Sequence, residues 1–388
     1  MLSLYVHIPF CAVRCGYCDF NTYVAHSFGP GAGHEDFAES IAAEAKLAAA
    51  ALSKDSPSAI KPKVATVFFG GGTPTLLGPR QLGRMLESLR ENFDLVPGCE
   101  ITTEANPDSV KAGDVAAYAA AGFTRMSIGM QSAVPHVLQT LERTHNPANV
   151  EALVAQAKAA GMQVSLDLIY GTPGESLSDW RASLEAAIVL EPDHVSAYAL
   201  VIEPGTKMGA YLARGLIAPV DPDDEAAKYE LADAMLGEAG YHWYEISNWA
   251  RPLAGTDGTD GELARCRHNM AYWKSYEWWG LGPGAHSFVG GKRWWNVKHP
   301  LTYAQRVLAG VSPIADSEDI DEDTAAFERL MLEIRLREGV LIADQARLKD
   351  LVDRGLAQPD MAVEGRLQLS LRGRLLADMV TQELLGNA

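Results

Sequence analysis

From residue 2 to about residue 246, short β-branched and apolar runs alternate with longer segments of helical period. The runs at 2–8, 64–69, 100–104, 125–130, 164–170, 194–200 and 241–246 predict strands. The segments 37–52, 79–92, 109–121, 149–160, 177–190 and 224–239, rich in Ala, Leu and Glu, predict the helices between them. Gly122, Gly161 and Gly240 stand just past three of these segments, where a left-handed residue ends a helix readily. Parallel neighbours need crossover helices, so six or so βα units predict an α/β fold whose parallel sheet curls into a full or partial (βα)6-type barrel.

The last 88 residues change character. Segments 321–338 and 343–353 predict helices, MAVEGRLQLS predicts a hairpin turning at Glu364 and Gly365, and 371–385 predicts a final helix. That order suggests a small winged-helix-like α+β module. The chain is expected to divide into a barrel over 1–250, an aromatic-rich connecting segment over 251–300 and this module over 301–388. AGTDGTDG around Asp257 and Asp260 predicts an exposed, flexible loop.

Charge and composition narrow the partners. Winged modules often bind DNA, but from Leu301 onward ten Lys plus Arg face sixteen Asp plus Glu, and the whole chain carries a net charge of −17. Nucleic acid and anionic lipid are therefore disfavoured. No apolar run approaches the length of a membrane helix, so stable membrane insertion is not expected. The 388 residues, 47% of them hydrophobic, suffice for a large buried core. Seven of the eight Trp fall between Trp243 and Trp295, which concentrates aromatic surface there.

The chemistry begins at Cys11, Cys15 and Cys18, spaced C-x3-C-x2-C directly after the first strand. A four-iron four-sulfur (4Fe-4S) cluster held by three thiolates keeps one iron open to an outside ligand. A structural zinc site would need a fourth ligand, for which His7 and His26 flank the triplet. A disulfide framework fits poorly, since the five cysteines are odd in number and Cys99 and Cys266 lie far off. The apolar run before the triplet lacks the basic flank of a signal peptide, and a reducing cytoplasmic setting is expected.

In a parallel barrel, function gathers at the C-terminal ends of the strands. The second predicted strand opens into GGGTPT, whose glycines are expected to let backbone amides approach a ligand. Glu104 closes the third strand, Gln131 follows the fourth, and Asp167 lies in the fifth. Singly, Glu104 suits a turn cap, Asp167 a buried pair, and Arg143 in LERTH a helix-end charge. Together on one rim with the cysteines, they point to a shared site.

These residues resemble the radical S-adenosylmethionine (SAM) superfamily, and within it the group containing oxygen-independent coproporphyrinogen oxidase and a haem chaperone. The resemblance rests on YVHIPFCAVRCGYC, FFGGGTPT, the acid at Glu104, GMQS, LERTH, DLIYGTP and HNMAYW. It implies that the three cysteines hold a 4Fe-4S cluster whose open iron is chelated by SAM. Tyr5 and Tyr17 would then contact the cofactor near the cluster, and Gly71, Gly72 and Thr73 would line its methionine end. Glu104, Gln131, Arg143 and Asp167 would hold its other polar atoms, with Asp167 a ribose partner. An electron donor is implied, and with it competence to cleave SAM to a 5′-deoxyadenosyl radical.

Two departures separate the branches of that group. The oxidase carries a further cysteine two positions after the third, where this chain has Phe20, and a long arm before its cluster motif, where this chain has ten residues before Cys11. Both features resemble the haem chaperone branch, as does the HN-x-x-YW pattern at His268, Asn269, Tyr272 and Trp273. The resemblance implies haem as cargo, handed to a client protein, with His268 a candidate haem iron ligand and Cys266 a thiolate alternative. The packing alternative is that the aromatic segment closes a barrel end and His268 bonds within it. The competing function is oxidative decarboxylation of coproporphyrinogen III propionates.

Overall fold

A computed structural model describes residues 1–53, 61–253 and 263–385. The stretch around Asp257 and Asp260 lies outside these residues. Six strands, β1 (Leu2–Ile8), β2 (Lys63–Gly71), β3 (Asp94–Ala105), β4 (Arg125–Gln131), β5 (Gln163–Tyr170) and β6 (His194–Ala199), run parallel in chain order. The barrel is partial. Beyond β6 the sheet continues into an antiparallel pair, β8 (Asn248–Ala250) and β7 (His242–Glu245), and beyond β1 into β9 (Trp278–Leu281).

Period-two alternation decides what the barrel encloses. Leu4, Val6 and Ile8 of β1, and Val164, Leu166 and Leu168 of β5, are buried in the main core. The alternate positions face inward and are mostly polar. Thr102 and Glu104 of β3, Ser165 and Asp167 of β5, and His194 and Ser196 of β6 all line the interior cavity. The same stripe on β4 reads Arg125, Ser127, Gly129 and Gln131.

Several elements differ from the sequence expectation. The run at 241–246 forms one arm of the antiparallel β7–β8 hairpin, because a two-residue link leaves no room for a crossover helix. The helix expected from 109 begins at Asp114, after a short 3-10 turn at Pro107–Ser109 and a left-handed Gly113. β9, β10 (His286–Val289), β11 (Lys292–Asn296) and β12 (Ile314–Asp319) extend the sheet to twelve strands among the described residues. Trp278, Trp279, Trp294 and Trp295 sit on this extension, and Trp279 and Trp294 pack edge to face with centroids 4.9 Å apart. Much of the aromatic concentration therefore builds sheet.

The C-terminal residues form a separate apolar cluster that includes Ile334, Val340, Leu348, Leu351, Leu367 and Val380. The hairpin expected at Glu364 and Gly365 is replaced. Pro359 starts a short helix, Pro359–Ala362, and β14 (Arg366–Leu367) pairs antiparallel with the distant β13 (Val340–Leu341). Arg374 holds this cluster to the barrel. Its guanidinium donates to both Asp233 oxygens at 2.8 and 2.7 Å and lies 4.3 Å from the Trp243 ring centroid.

Candidate functional site

The barrel encloses a cavity of about 720 Å³, and every candidate cluster and cofactor residue named from the sequence, His268 included, lines it, whereas His7, His26 and Trp273 do not. At its C-terminal end lie Cys11, Cys15 and Cys18, with Tyr17 between the last two. Each thiol has a polar neighbour. Thr73 Oγ1 donates to Cys11 Sγ at 3.9 Å, Arg143 Nη1 donates to Cys15 Sγ at 3.7 Å, and Thr22 Oγ1 lies 3.9 Å from Cys18 Sγ. Such donors favour a thiolate. Burial pushes the Cys11 and Cys18 thiols up, and a coordinating metal deprotonates a thiol outright.

The flanking histidines have other partners. Tyr5 donates to His7 Nδ1 and His7 Nε2 donates to the Asn21 carbonyl, both at 3.0 Å. The His26 ring packs tilted against His34, with centroids 4.1 Å apart.

The glycine run acts differently from the expectation that its amides face a ligand. Gly72 N–H donates to the Ile8 carbonyl at 2.7 Å, and Thr73 N–H to Phe10 at 2.8 Å. Gly71 N–H donates to Glu104 Oε2 at 3.1 Å. A Cβ on Gly72 would stand 2.5 Å from the Phe10 carbonyl oxygen, and one on Gly71 2.5 Å from the His7 ring. Glycine is needed so that β2 can close against the base of the cysteine loop.

Behind the loop sit the buried acids. Burial, then the charge of Asp167, pushes Glu104 up to about 8, against the pull of the Gly71 amide. Ser127 Oγ donates to Asp167 at 2.9 and 3.2 Å, and burial holds that carboxyl above its ordinary range. A register shift at the end of β4 places Gln131 at a left-handed φ of 62°. Arg143 donates from Nη2 to the Gly129 carbonyl at 2.8 Å, while its buried Nε has no partner within the protein. A buried acid that can ionise, an uncommitted guanidinium N–H and a hydroxyl-bonded carboxyl suit a ligand that carries an amine, a carboxylate and a diol.

His268 lies toward the other end. Its Nδ1 contacts Thr66 Oγ1 at 2.8 Å, and Thr66 stands five residues before Gly71 on β2, roughly 16 Å along a strand. Thr66 donates its own proton to Ser3, so Nδ1 carries the imidazole proton and Nε2 accepts from the Tyr272 hydroxyl at 3.0 Å. Burial pushes the imidazole down to about 3, which keeps it neutral. The backbone amides of Arg267 and His268 donate to the Glu100 carboxylate at 3.1 and 3.0 Å, and Arg125 donates to the carbonyls of Ala264 and Arg265. Asn269 Nδ2 donates to Glu245 Oε1 at 2.9 Å. Helix Arg267–Trp273 thus closes the barrel floor, and His268 bonds within it. Burial pushes Cys266 up to about 12, so its thiol keeps its proton.

The sequence reasoning missed Thr66, Glu100, Arg125, Ser127 and Ser196, and named Tyr272 only as part of a motif. The signal for the strand residues was present, since polar side chains recur every second position in RMSIGMQ, SLDLI and HVSAY.

Known proteins agree with this architecture. The family description "Radical SAM superfamily" matches residues 5–187. A Mycobacterium tuberculosis H37Rv protein named "Heme chaperone HemW" is 46% identical over 387 residues, covering 99% of this chain and 95% of its own length. Bacillus subtilis and Escherichia coli K12 proteins of the same name are 30% and 34% identical, over 100% and 87% of this chain and 100% and 83% of their own lengths. Among solved structures, E. coli coproporphyrinogen III oxidase (HemN), described as a radical SAM enzyme, superposes with a TM-score of 0.76 at 24% identity, covering 99% of this chain and 89% of that one. That likeness shows a shared fold. By its identity to the bacterial relatives across nearly its whole length, the chain belongs to the HemW family of the radical SAM superfamily.

Proposed function

We propose that this protein is a haem chaperone that binds haem and passes it to a client protein, and that it carries a three-cysteine 4Fe-4S cluster with SAM. The observation that carries the proposal is 46% identity over 99% of the chain to proteins named "Heme chaperone HemW". Phe20, standing where the oxidase carries a further cysteine, supports the same branch.

The cavity residues fit the cofactors. A bound cluster with one open iron supplies a seat for an amino and a carboxylate group and, from a one-electron donor, reducing power. Glu104, once ionised, accepts from the ligand's ammonium. The partnerless Arg143 Nε donates to a carboxylate, and Asp167, oriented by Ser127, accepts from ribose hydroxyls. Tyr17 lies beside the Cys15 thiol and Tyr5 lines the same cavity.

For haem, the neutral His268 offers the Nε2 lone pair that the Tyr272 hydroxyl occupies. His268 would be free to ligate haem iron only if that hydroxyl turned away. Replacing Tyr272 by Phe is then expected to tighten haem binding several-fold, while His268→Ala loses the ligand's spectral signature. Unchanged spectra in both variants would remove His268 from the haem site. The function itself is tested by anaerobic reconstitution, followed by haem titration beside turnover of coproporphyrinogen III with SAM. Haem binding and transfer without turnover is the expected result. Rapid formation of protoporphyrinogen IX would overturn the chaperone assignment in favour of the oxidase.

A further inference from the structure

Asn21 stands three residues after Cys18, and its side chain is committed outside the barrel motif. Nδ2 donates to the Pro283 carbonyl at 3.0 Å and to the Lys298 carbonyl at 2.9 Å. Oδ1 accepts from the Tyr23 hydroxyl at 3.0 Å, and the backbone carbonyl accepts from His7 Nε2 at 3.0 Å. One residue thus joins β1, the end of the cysteine loop and a segment more than 260 positions away. Gly284 makes room for it, since a Cβ there would stand 2.8 Å from Asn21 Nδ2.

The distant segment is itself anchored. The buried Glu44 accepts from Gly282 N–H and from Asn296 Nδ2, both at 2.7 Å, and from the Tyr303 hydroxyl. Gly284 N–H donates to the Val297 carbonyl at 3.0 Å. A Cβ on Gly282 would meet the His7 carbonyl oxygen at 2.5 Å, so this segment lies directly on β1. The base of the loop is closed by Cys11 N–H to the Tyr23 carbonyl at 3.0 Å and Tyr23 N–H to the Pro9 carbonyl at 2.7 Å. Asn21 sits inside that closure, and its neighbour Thr22 places a hydroxyl on Cys18 Sγ.

We infer that Asn21 is a positioning residue for the cysteine site. It ties the Cys18 side of the loop to residues 283–298, so that chain beyond the barrel belongs to the cluster's support. The cluster part of this inference rests on the function proposed above; the loop part does not. A surface loop anchored at one carbonyl would tolerate loss of the amide, whereas here the carbonyl of the buried Pro283 and the exposed carbonyl of Lys298 lose a shared donor together.

The test uses the full chain with Asn21→Ala and with Asn21→Asp, which keeps the shape and removes both donors. Amide hydrogen exchange in the cluster-free protein is expected to quicken about ten-fold across residues 11–23 and to stay unchanged in the strands. After anaerobic reconstitution, a broadened electron paramagnetic resonance signal and about ten-fold faster cluster loss in air are expected. Wild-type exchange across 11–23 in both variants would overturn the inference, whatever the cluster does. A wild-type chain that takes up no cluster would instead count against the proposed function and leave the exchange result to decide this one. Should the Asn21 variants fail to fold, Gly284→Ala pushes on the same amide from the far side and is held to the same exchange criterion.

Discussion

Glu104 is an acid of the site whose chemistry the fold alters strongly. Its carboxyl holds a proton to about 8, whereas the ordinary value is 4.5. A group held that way contributes stability that is full below 4.5 and is lost as the pH climbs through about 8. The melting temperature of cluster-free protein is therefore expected to fall from pH 5 to pH 8.5, and Glu104→Gln to flatten that fall. Glu44 and Glu245, each pushed by burial to about 7, act in the same direction and set the remaining slope. Binding an ammonium needs the ionised form, so SAM affinity is expected to rise over the same window. A pH-independent affinity would count against a Glu104 contact. Glu104 and Asp167 were legible as acids ending apolar runs, because strand-end position is written locally. Their mutual repulsion was not, because β3 and β5 meet only through β4.

At the level of elements, the barrel floor is the part to test. Arg125 is fully buried, donates to two carbonyls of the 264–265 segment and lies 3.8 Å from the Glu100 carboxylate. Replacing Arg125 by Met leaves those two carbonyls without their donor and Glu100 with the Arg267 and His268 amides and the Arg267 side chain. The expected cost is about 2–4 kcal/mol, measured by denaturant melts, because two buried acceptors lose their donor and a buried pair is broken. Should the variant lose under 1 kcal/mol, the floor is not held by this residue. The HNMAYW pattern was visible in the sequence, and the resemblance attached it to haem. That it forms a seven-residue helix seated on Glu100 depends on β3 presenting that carboxylate from 167 or more positions away. The glycine run shows the same limit. Three glycines in a row announce close approach, but only the paired strands reveal that the approaching groups are the Ile8 and Phe10 carbonyls.

Across the whole molecule, one sheet of twelve strands joins regions that composition separates, among the described residues. The helix Pro300–Leu308 packs on Phe37–Leu52, and β12 closes the extension that begins at β9. The C-terminal cluster is tied on through Arg374 and Asp233. Arg374→Met is expected to cost about 1–3 kcal/mol and to speed proteolysis of the C-terminal residues relative to the barrel. Equal protection of both regions in that variant would mean that other contacts hold the cluster in place.

Local pattern alone determined the parallel βα units, the inward polar stripes and the cysteine triplet, because period-two alternation, helical period and ligand spacing are properties of neighbouring residues. Tertiary structure decided where the barrel stops, which carbonyls the glycines serve, that His268 spends both nitrogens on Thr66 and Tyr272, and that Asn21 reaches residues 283 and 298. Each of these depends on contacts between segments tens to hundreds of positions apart. Their partners are chosen by packing once the sheet has formed, and no local periodicity records them.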